Sequence, residues 1–172
     1  MAKFDLAVEK TLALEGWGKL VNDRLDPGGL TRWGISEKSY PEEDIGQLTR
    51  PRALELYRRD FWHPLYDQIA DQEVADELFD FGVNTSARGW PKVAVKILQQ
   101  AVRYLVVGPV VVDGVFGAQT LEAVNGLSPD RLLREFRTCE AYYYADIVIR
   151  QPDMREEEKR RFLKGWLRRV MA

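Results

Sequence analysis

Hydrophobic residues recur every three to four positions over most of the chain, and this periodicity predicts a mainly α-helical protein. The first helix is predicted over residues 3–15. Its apolar stripe ends in a carboxylate, Glu15, directly before Gly16, and glycine commonly follows the end of a helix. The stripe comprises Phe4, Val8, Thr11, Leu12 and Glu15.

Between residues 17 and 35 the helical period gives way to short strand patterns. Residues 20–22 and 30–33 are candidate strands, and Asp26-Pro27-Gly28-Gly29 lies between them. Proline at the second turn position and glycine at the third suit a type II turn. The segment therefore predicts a hairpin, and the fold class is mainly α, with one small β-hairpin lobe near the N-terminus.

The remainder of the chain is predicted to be helical apart from a loop over residues 106–117. Thr49 can cap one helix, Ser128-Pro129 is a strong start for another, and Pro152 separates the last two. The predicted helices cover residues 49–62, about 74–82, a segment opened by Trp90-Pro91, 129–149 and 155–171.

Composition and charge exclude several classes of protein. Lys and Arg total 25 and Asp and Glu total 27, which gives a formal net charge of −2 over 172 residues. A dedicated nucleic-acid-binding protein usually carries a strong basic excess, so that class is disfavoured and no nucleic-acid partner is expected. The longest apolar run, residues 104–112, is broken by Gly108-Pro109 and is too short to span a membrane.

The chain has one cysteine and one histidine, and this limits its chemistry. Cys139 excludes an internal disulfide, and His63 leaves little for a metal site, so we expect no metal ion and no cofactor. His63 is interpreted as a structural residue at a helix end, and Cys139 as a small core residue. Hydrolytic chemistry would therefore most naturally use carboxylates.

The two ends of the chain carry expectations about location. The first residues lack the apolar segment of a secretory signal, so we expect synthesis in the cytoplasm without a signal peptide. The last helix is basic and amphipathic. We favour an apolar stripe that closes the core, while weak contact of its basic face with an anionic membrane or with wall phosphates stays an alternative.

Glu15 is the leading candidate for chemistry because a carboxylate on an apolar helix face is partly desolvated. Desolvation raises a carboxyl pKa, as a general acid working near neutral pH requires. Asp23, Asp26 and Thr31 in the hairpin could face Glu15 across a cleft, and a pair of carboxylates is the arrangement that cleaves glycosidic bonds. The alternative is an exposed glutamate followed by a turn-forming Asp-Pro-Gly-Gly.

The same residues resemble the sequence pattern of glycoside hydrolase family 108, N-acetylmuramidases of phage and bacterial origin with a lysozyme-like helical fold. The resemblance implies that Glu15 is the catalytic acid, that Asp26 is the hairpin carboxylate, and that Thr31 positions water or substrate. Because Arg24 stands where proline is usual and about two residues are added before Val21, Asp23 competes with Asp26. The resembling stretches are Glu15-Gly16-Trp17, Val21-Asn22-Asp23 and residues 26–36.

The C-terminal half of the chain carries a further resemblance, and several residues are candidates for contact with the sugar. Residues 90–124, with Asp113-Gly114 and Gly117, are similar to a peptidoglycan-binding helical repeat, although a plain structural loop would explain them too. They imply a muramidase region over 1–85 and a peptidoglycan-binding-like region over 86–172, packed as one compact unit. The candidates for substrate contact are Asn84, a hydrogen-bonding residue or helix C-cap, and the possible stacking platforms Trp33, Tyr40 and Trp90.

Together these features predict a peptidoglycan hydrolase that cleaves between N-acetylmuramic acid and N-acetylglucosamine, with glycan strands as its partner. The alternative is a wall-binding or secretion-associated module that cleaves poorly or not at all. An enzyme without a signal peptide would reach the wall as a phage endolysin released through a holin, or as a bacterial enzyme near a secretion system. The sequence leaves open the route, the stereochemistry and the oligomeric state.

Overall fold

A computed structural model of the chain describes residues 1–14, 18–22, 29–86, 89, 91–106, 108–150 and 155–171. Helices make up 66% of the structure, and the described residues form seven α-helices and a small two-stranded sheet, which confirms the mainly α fold class. The helices are α1 Phe4–Leu14, α2 Arg50–Phe61, α3 Gln72–Thr85, α4 Lys92–Leu105, α5 Ala118–Asn125, α6 Pro129–Ile149 and α7 Glu156–Val170; the strands are β1 Thr31–Arg32 and β2 Ile35–Ser36, and short 3-10 helices span Ile45–Gln47 and Pro64–Gln68.

The chain divides into two compact units, Met1–Ala94 and Val95–Ala172. In the first unit α1 packs against α3, and aromatic rings fill the space beneath them. Phe4 lies edge-on to Trp62 and to Phe79, with ring centroids 5.6 and 5.8 Å apart. Edge-to-face rings of this kind add to the burial energy of their area, so α1 is firmly anchored by its first turn.

Side-chain caps explain where several helices begin. Thr49 Oγ1 accepts a hydrogen bond from the Arg52 amide at the start of α2, and Asp71 Oδ1 accepts one from the Val74 amide at the start of α3. These caps satisfy amides that the helix itself leaves free. The predicted starts at Thr49 and Ser128-Pro129 are confirmed, and α6 has the predicted bounds.

The prediction that α3 ends near Gly82 is wrong, because the helix continues to Thr85. Gly82 is needed for a different reason. A methyl group at this position would lie 2.9 Å from Cβ of Pro91, so a side chain would collide with the segment that leads into α4. The glycine therefore permits close packing inside the helix and does not end it.

The hairpin also differs from the predicted one. β1 pairs antiparallel with β2, with Thr31 opposite Ser36 and Arg32 opposite Ile35. The connecting residues Trp33 and Gly34 both have positive φ, 56° and 73°, as a two-residue type I′ turn requires. The predicted partner strand, residues 20–22, contributes only a single bridge between Val21 and Thr31.

In the second unit the long helix α6 packs against α7. The ring of Trp166 on α7 stacks on Tyr144 of α6, with centroids 4.9 Å apart, and Phe162 stacks on the same tryptophan at 5.8 Å. Val170 is buried, whereas Phe162 remains 45% exposed. The apolar stripe of α7 thus faces α6, and none of the described helices is long and apolar enough to cross a membrane.

Candidate active site

The last turn of α1 is tied to α3 by a buried hydrogen bond. Thr11 Oγ1 donates to Asp80 Oδ1 at 2.8 Å, and both residues are buried. A hydrogen bond between a hydroxyl and a carboxylate in such a place is stronger than one at the surface. Glu15 lies four positions after Thr11, outside the described residues, so the structure fixes the helix that leads to it.

A second constraint joins the residues on either side of the hairpin carboxylates in the sequence. The amide of Val21 donates to the carbonyl of Thr31 at 2.8 Å, and the amide of Thr31 donates back at 2.9 Å. The two residues that flank positions 22–30 in the sequence therefore lie side by side. Asp23 and Asp26 belong to this segment and lie outside the described residues, so their separation from Glu15 stays a prediction.

Thr31 lies at one end of that segment, in β1. Its side chain is half-buried, and its Oγ1 donates to the carbonyl of Gly29 at 3.2 Å. The hydroxyl has lone pairs left to accept a further hydrogen bond from water or from a sugar. The structure thus places Thr31 opposite Val21, and its role in catalysis stays a prediction.

Trp33 occupies the turn of the hairpin and packs against Gly18. A methyl group at Gly18 would lie 2.4 Å from Cε2 of the indole, so the ring rests directly on the glycine backbone. The Tyr57 hydroxyl donates to the Trp33 carbonyl at 2.9 Å, which fixes the backbone of the turn. The indole is half-buried, and its N–H is buried without a hydrogen-bond partner among the described residues.

Arg32 was missed by the sequence reasoning, yet it joins three segments around this turn. Its Nη1 donates to the carbonyl of Gly46 at 2.9 Å, and its Nε donates to the carbonyl of Gly18 at 3.4 Å. A half-buried arginine that bonds backbone carbonyls holds chain segments together, because its fork of donors satisfies several acceptors at once. No pattern in the sequence distinguished this arginine from the many exposed ones.

Tyr40 is placed where it cannot serve as a stacking platform. The residue is 1% exposed, so neither face of its ring is open to a sugar, and its hydroxyl donates to Asp60 Oδ2 at 2.9 Å. Asp60 also accepts from Arg59, and this pairing raises the pKa of the Arg59 guanidinium. Tyr40 is thus a core residue, and it is left out of the proposed sugar contacts.

Asn84 belongs to the last turn of α3. Asn84 is half-buried and lies within the helix, whose C-cap is Ser86, so its alternative interpretation as the C-cap is wrong. Trp90 lies outside the described residues. The structure therefore leaves the substrate-binding roles of both residues as predictions.

Three acidic side chains of α3 are buried in the first unit, and the sequence reasoning did not single them out. They are Asp76, Glu77 and Asp80. Burial raises the pKa of the Asp76 carboxyl, opposed by the hydrogen bond that it accepts from Gln72 Nε2 at 2.6 Å. Acidic residues at positions 76 and 80 interrupt the apolar stripe of α3 at helical spacing, and that interruption was the available signal.

His63 and Cys139 behave as structural residues. The His63 ring caps the 3-10 helix Pro64–Gln68, accepting the Leu65 amide on Nδ1 at 3.1 Å, and burial lowers its pKa. Burial also raises the pKa of the Cys139 thiol to about 11, so little thiolate exists near neutral pH. Within the described ranges, no group of three histidine, cysteine or carboxylate side chains could hold a metal ion.

The first unit combines α-helices with a small hairpin. Comparison with sequence models of families shows which known proteins the chain resembles. Residues 8–85 match glycosyl hydrolase 108, and residues 93–171 match a domain described as a predicted peptidoglycan domain. The N-terminal part of the chain thus matches glycosyl hydrolase 108 and the C-terminal part the peptidoglycan domain, and the two matches together support a glycoside hydrolase that acts on peptidoglycan.

A solved structure supports the fold over nearly the whole chain. The structure of Brucella abortus SagA aligns with a TM-score of 0.71 at 24% sequence identity, and the alignment covers 98% of this chain and 94% of that one. Identity at this level shows the fold and not the residues of the site. No curated protein sequence matches the chain.

Proposed function

We propose that this protein is an N-acetylmuramidase, a hydrolase that cleaves the β-1,4 bond between N-acetylmuramic acid and N-acetylglucosamine. The observation that carries the proposal is the match of residues 8–85 to glycosyl hydrolase 108. That stretch contains the end of α1, directly before Glu15, and the loop closed by the Val21–Thr31 bridge.

In this proposal Glu15 is the general acid that protonates the glycosidic oxygen. Its place in the sequence continues the apolar stripe of α1, and a carboxyl group beside apolar surroundings has a raised pKa. The Thr11–Asp80 hydrogen bond supports the proposal because it immobilises the turn that precedes Glu15. A fixed acid meets the geometric requirement for proton transfer to the leaving oxygen.

Asp26 is the second carboxylate in the proposal, assisted by Thr31. It stabilises the oxocarbenium-like state or directs the attacking water, and Asp23 is its competitor for this role. Thr31 pairs with Val21, so it lies at one end of the segment that carries Asp23 and Asp26 in the sequence, and this supports its assignment. Separation of the two carboxyl groups by about 5–5.5 Å would give a retaining enzyme, and by about 6.5–9.5 Å an inverting one.

Sugar contacts are assigned to Trp33, Trp90 and Asn84. The half-buried indole of Trp33 rests against Gly18, so the glycine fixes the ring in position as a stacking surface. Aromatic faces suit the apolar faces of sugar rings, and an amide such as that of Asn84 can bond an N-acetyl group. These contacts would hold the glycan across the loop of residues 22–30.

Digestion of purified peptidoglycan tests this function. Products released by the wild type and by Glu15→Gln are reduced with borohydride and identified by mass spectrometry. We expect muropeptides that carry reduced N-acetylmuramic acid ends, and a loss of at least a hundredfold in the variant, since removing a general acid typically costs that much. Asp26→Asn and Asp23→Asn, compared side by side, identify the second carboxylate.

Glu73→Gln is the matched control, because Glu73 is an exposed glutamate in the first turn of α3. It should digest peptidoglycan as the wild type does. Release that survives Glu15→Gln would remove Glu15 from the mechanism and return attention to the loop carboxylates. If the wild type sediments with the wall but releases nothing, the chain is a wall-binding module and the muramidase proposal fails.

A further inference from the structure

The second unit contains a cavity of about 280 Å³ next to the loop that follows α4. Its walls come from three places: α4, the loop of residues 111–117 and the first turn of α5. The side chains that give the cavity its chemical character belong to Gln99, Val111, Asp113, Val115, Gln119 and Thr120. All of them lie in the part of the chain that matches the peptidoglycan domain.

Gln99 forms hydrogen bonds to several of the residues that line this cavity. It is 1% exposed, and its Oε1 accepts the amides of Asp113 at 3.0 Å and Gly114 at 2.9 Å. Its Nε2 lies within hydrogen-bond distance of Asp113 Oδ1 and the Val115 carbonyl, both at 3.0 Å, and of Thr120 Oγ1 at 3.2 Å. One buried amide thus holds the loop to α5, so the cavity is formed before any ligand arrives.

Asp113 presents a negative charge at the mouth of the cavity. Its Oδ1 accepts the Val115 amide at 2.8 Å, and this bond and the one from Gln99 hold the pKa of the carboxyl below its usual range. The side chain is exposed and forms no ion pair with any described residue, and Lys96 adds only a weaker attraction. The carboxylate is therefore fixed in direction, ionised and open to a cation.

Two exposed valines flank that carboxylate. Val111 is 61% and Val115 60% exposed, so their apolar side chains remain accessible beside Asp113. An alkyl chain could lie against them while its charged end reaches Asp113. The combination selects an ammonium group carried on an alkyl chain, because neutral sugars offer no charge to match.

We propose that this cavity binds the side-chain ammonium group of the diamino acid in an uncrosslinked stem peptide of peptidoglycan. The inference rests on the proposed function in that peptidoglycan is the substrate, and it assigns recognition of the peptide to the second unit. N-acetylated glycan strands are neutral, whereas a free diamino acid side chain provides both the alkyl stem and the cation. Cross-linking or acetylation of that amine removes its positive charge, and with it the attraction to the Asp113 carboxylate.

Binding of a short peptide to the full-length protein tests the proposal. Isothermal titration compares a soluble stem peptide that has a free side-chain amine with the same peptide acetylated at that amine. We expect the free-amine peptide to bind at least tenfold more tightly, and Asp113→Asn to remove that preference. The amide of asparagine keeps an acceptor for the Val115 amide, so the loop should remain folded. Asp130→Asn, a change of an exposed aspartate on α6, should bind as the wild type does.

A second variant leaves the Gln99 network untouched. Val111→Lys places a cation at the rim beside Asp113 and should weaken binding of the free-amine peptide at least tenfold, whereas Val106→Lys, outside the cavity, should not. Equal affinity for the acetylated peptide, or unchanged binding by Asp113→Asn and Val111→Lys, would overturn the proposal. So would the absence of binding at millimolar peptide. Glu15→Gln should retain peptide binding, so failure of the muramidase proposal and failure of this one are distinguishable.

Discussion

Gly18→Ala is expected to destabilise the protein through two separable effects. Gly18 has a φ of +74°, a conformation that costs an alanine about 1–2 kcal/mol. The new methyl group would also lie 2.4 Å from the Trp33 ring, and overpacking of this kind costs about 1–3 kcal/mol. Because alanine also restricts the unfolded chain, about 0.4–1 kcal/mol is recovered. The expected net loss in unfolding free energy is about 1–4.5 kcal/mol, with a central value of about 3 kcal/mol.

Two other glycines separate these effects. Gly89 also has a positive φ, +92°, but a methyl group there would meet nothing within 4 Å, so Gly89→Ala should cost about 0–1.5 kcal/mol. At Gly108 a methyl group meets nothing and the φ is ordinary, so Gly108→Ala should be neutral or stabilising by about 0.4–1 kcal/mol. Urea unfolding followed by circular dichroism gives the three free energies on one scale.

A double-mutant cycle with Trp33→Ala isolates the contact itself. Without the indole, the cost of Gly18→Ala should fall to that of Gly89→Ala, since only the backbone conformation remains. The reasoning would be refuted by a Gly18→Ala variant as stable as Gly89→Ala, or by an unchanged cost in the Trp33→Ala background. Either result would mean that the ring does not rest on Gly18. If Trp33 is a sugar platform, Gly18→Ala should also raise KM for peptidoglycan.

Two further changes probe the polar contacts of the first unit. Thr11→Val removes the buried hydrogen bond to Asp80 and should lower the unfolding free energy by about 1.5–3 kcal/mol, measured by urea unfolding. The control is Thr138→Val, at an exposed threonine of α6 that donates to the Arg134 carbonyl, and it should cost less than about 0.5 kcal/mol. Similar losses in the two variants would contradict the strength assigned to the buried hydrogen bond. Burial lowers the pKa of His63 from its usual 6.5, so near that pH the unfolded chain binds a proton more readily than the folded chain does. The free energy of unfolding should therefore fall as the pH drops below about 6.5. His63→Asn keeps an acceptor for the Leu65 amide and should show a shallower fall between pH 8 and pH 5.5, and an unchanged slope would refute the assignment.

Helix positions were predictable because the signals for them are local. Thr49 caps α2 through an amide three residues away, and Ser128-Pro129 begins α6 where the sequence indicates. The hairpin was predicted in the right region, but β1 pairs chiefly with β2, and the predicted partner strand contributes only the bridge at Val21. A tryptophan with positive φ is uncommon, so Trp33-Gly34 did not suggest a type I′ turn, whereas Asp26-Pro27-Gly28-Gly29 resembles an ordinary turn.

Burial was harder to infer than secondary structure, since it depends on partners that are distant in sequence. Tyr40 and Trp33 both lie near the hairpin and looked equally suited to a sugar. Tyr40 is buried, and its hydroxyl is satisfied by Asp60, twenty positions later, a pairing that no local pattern reveals. The same limit applies to Arg32, whose acceptors, the carbonyls of Gly18 and Gly46, are each fourteen positions away.

Polar residues at core positions are the feature of this sequence that best indicates which segments the fold holds in place. Thr11 lies on the apolar stripe of α1, and Gln99 is buried on α4. Burying a polar side chain is unfavourable unless it is hydrogen-bonded, so each must have a partner in the fold. The partner of Thr11 is on α3 and fixes the helix that leads to Glu15, while Gln99 holds the loop of Asp113. In both units a buried polar residue thus stabilises one segment, the last turn of α1 in the first unit and the loop of residues 111–117 in the second. Substitution of that residue should impair the segment before it unfolds the unit.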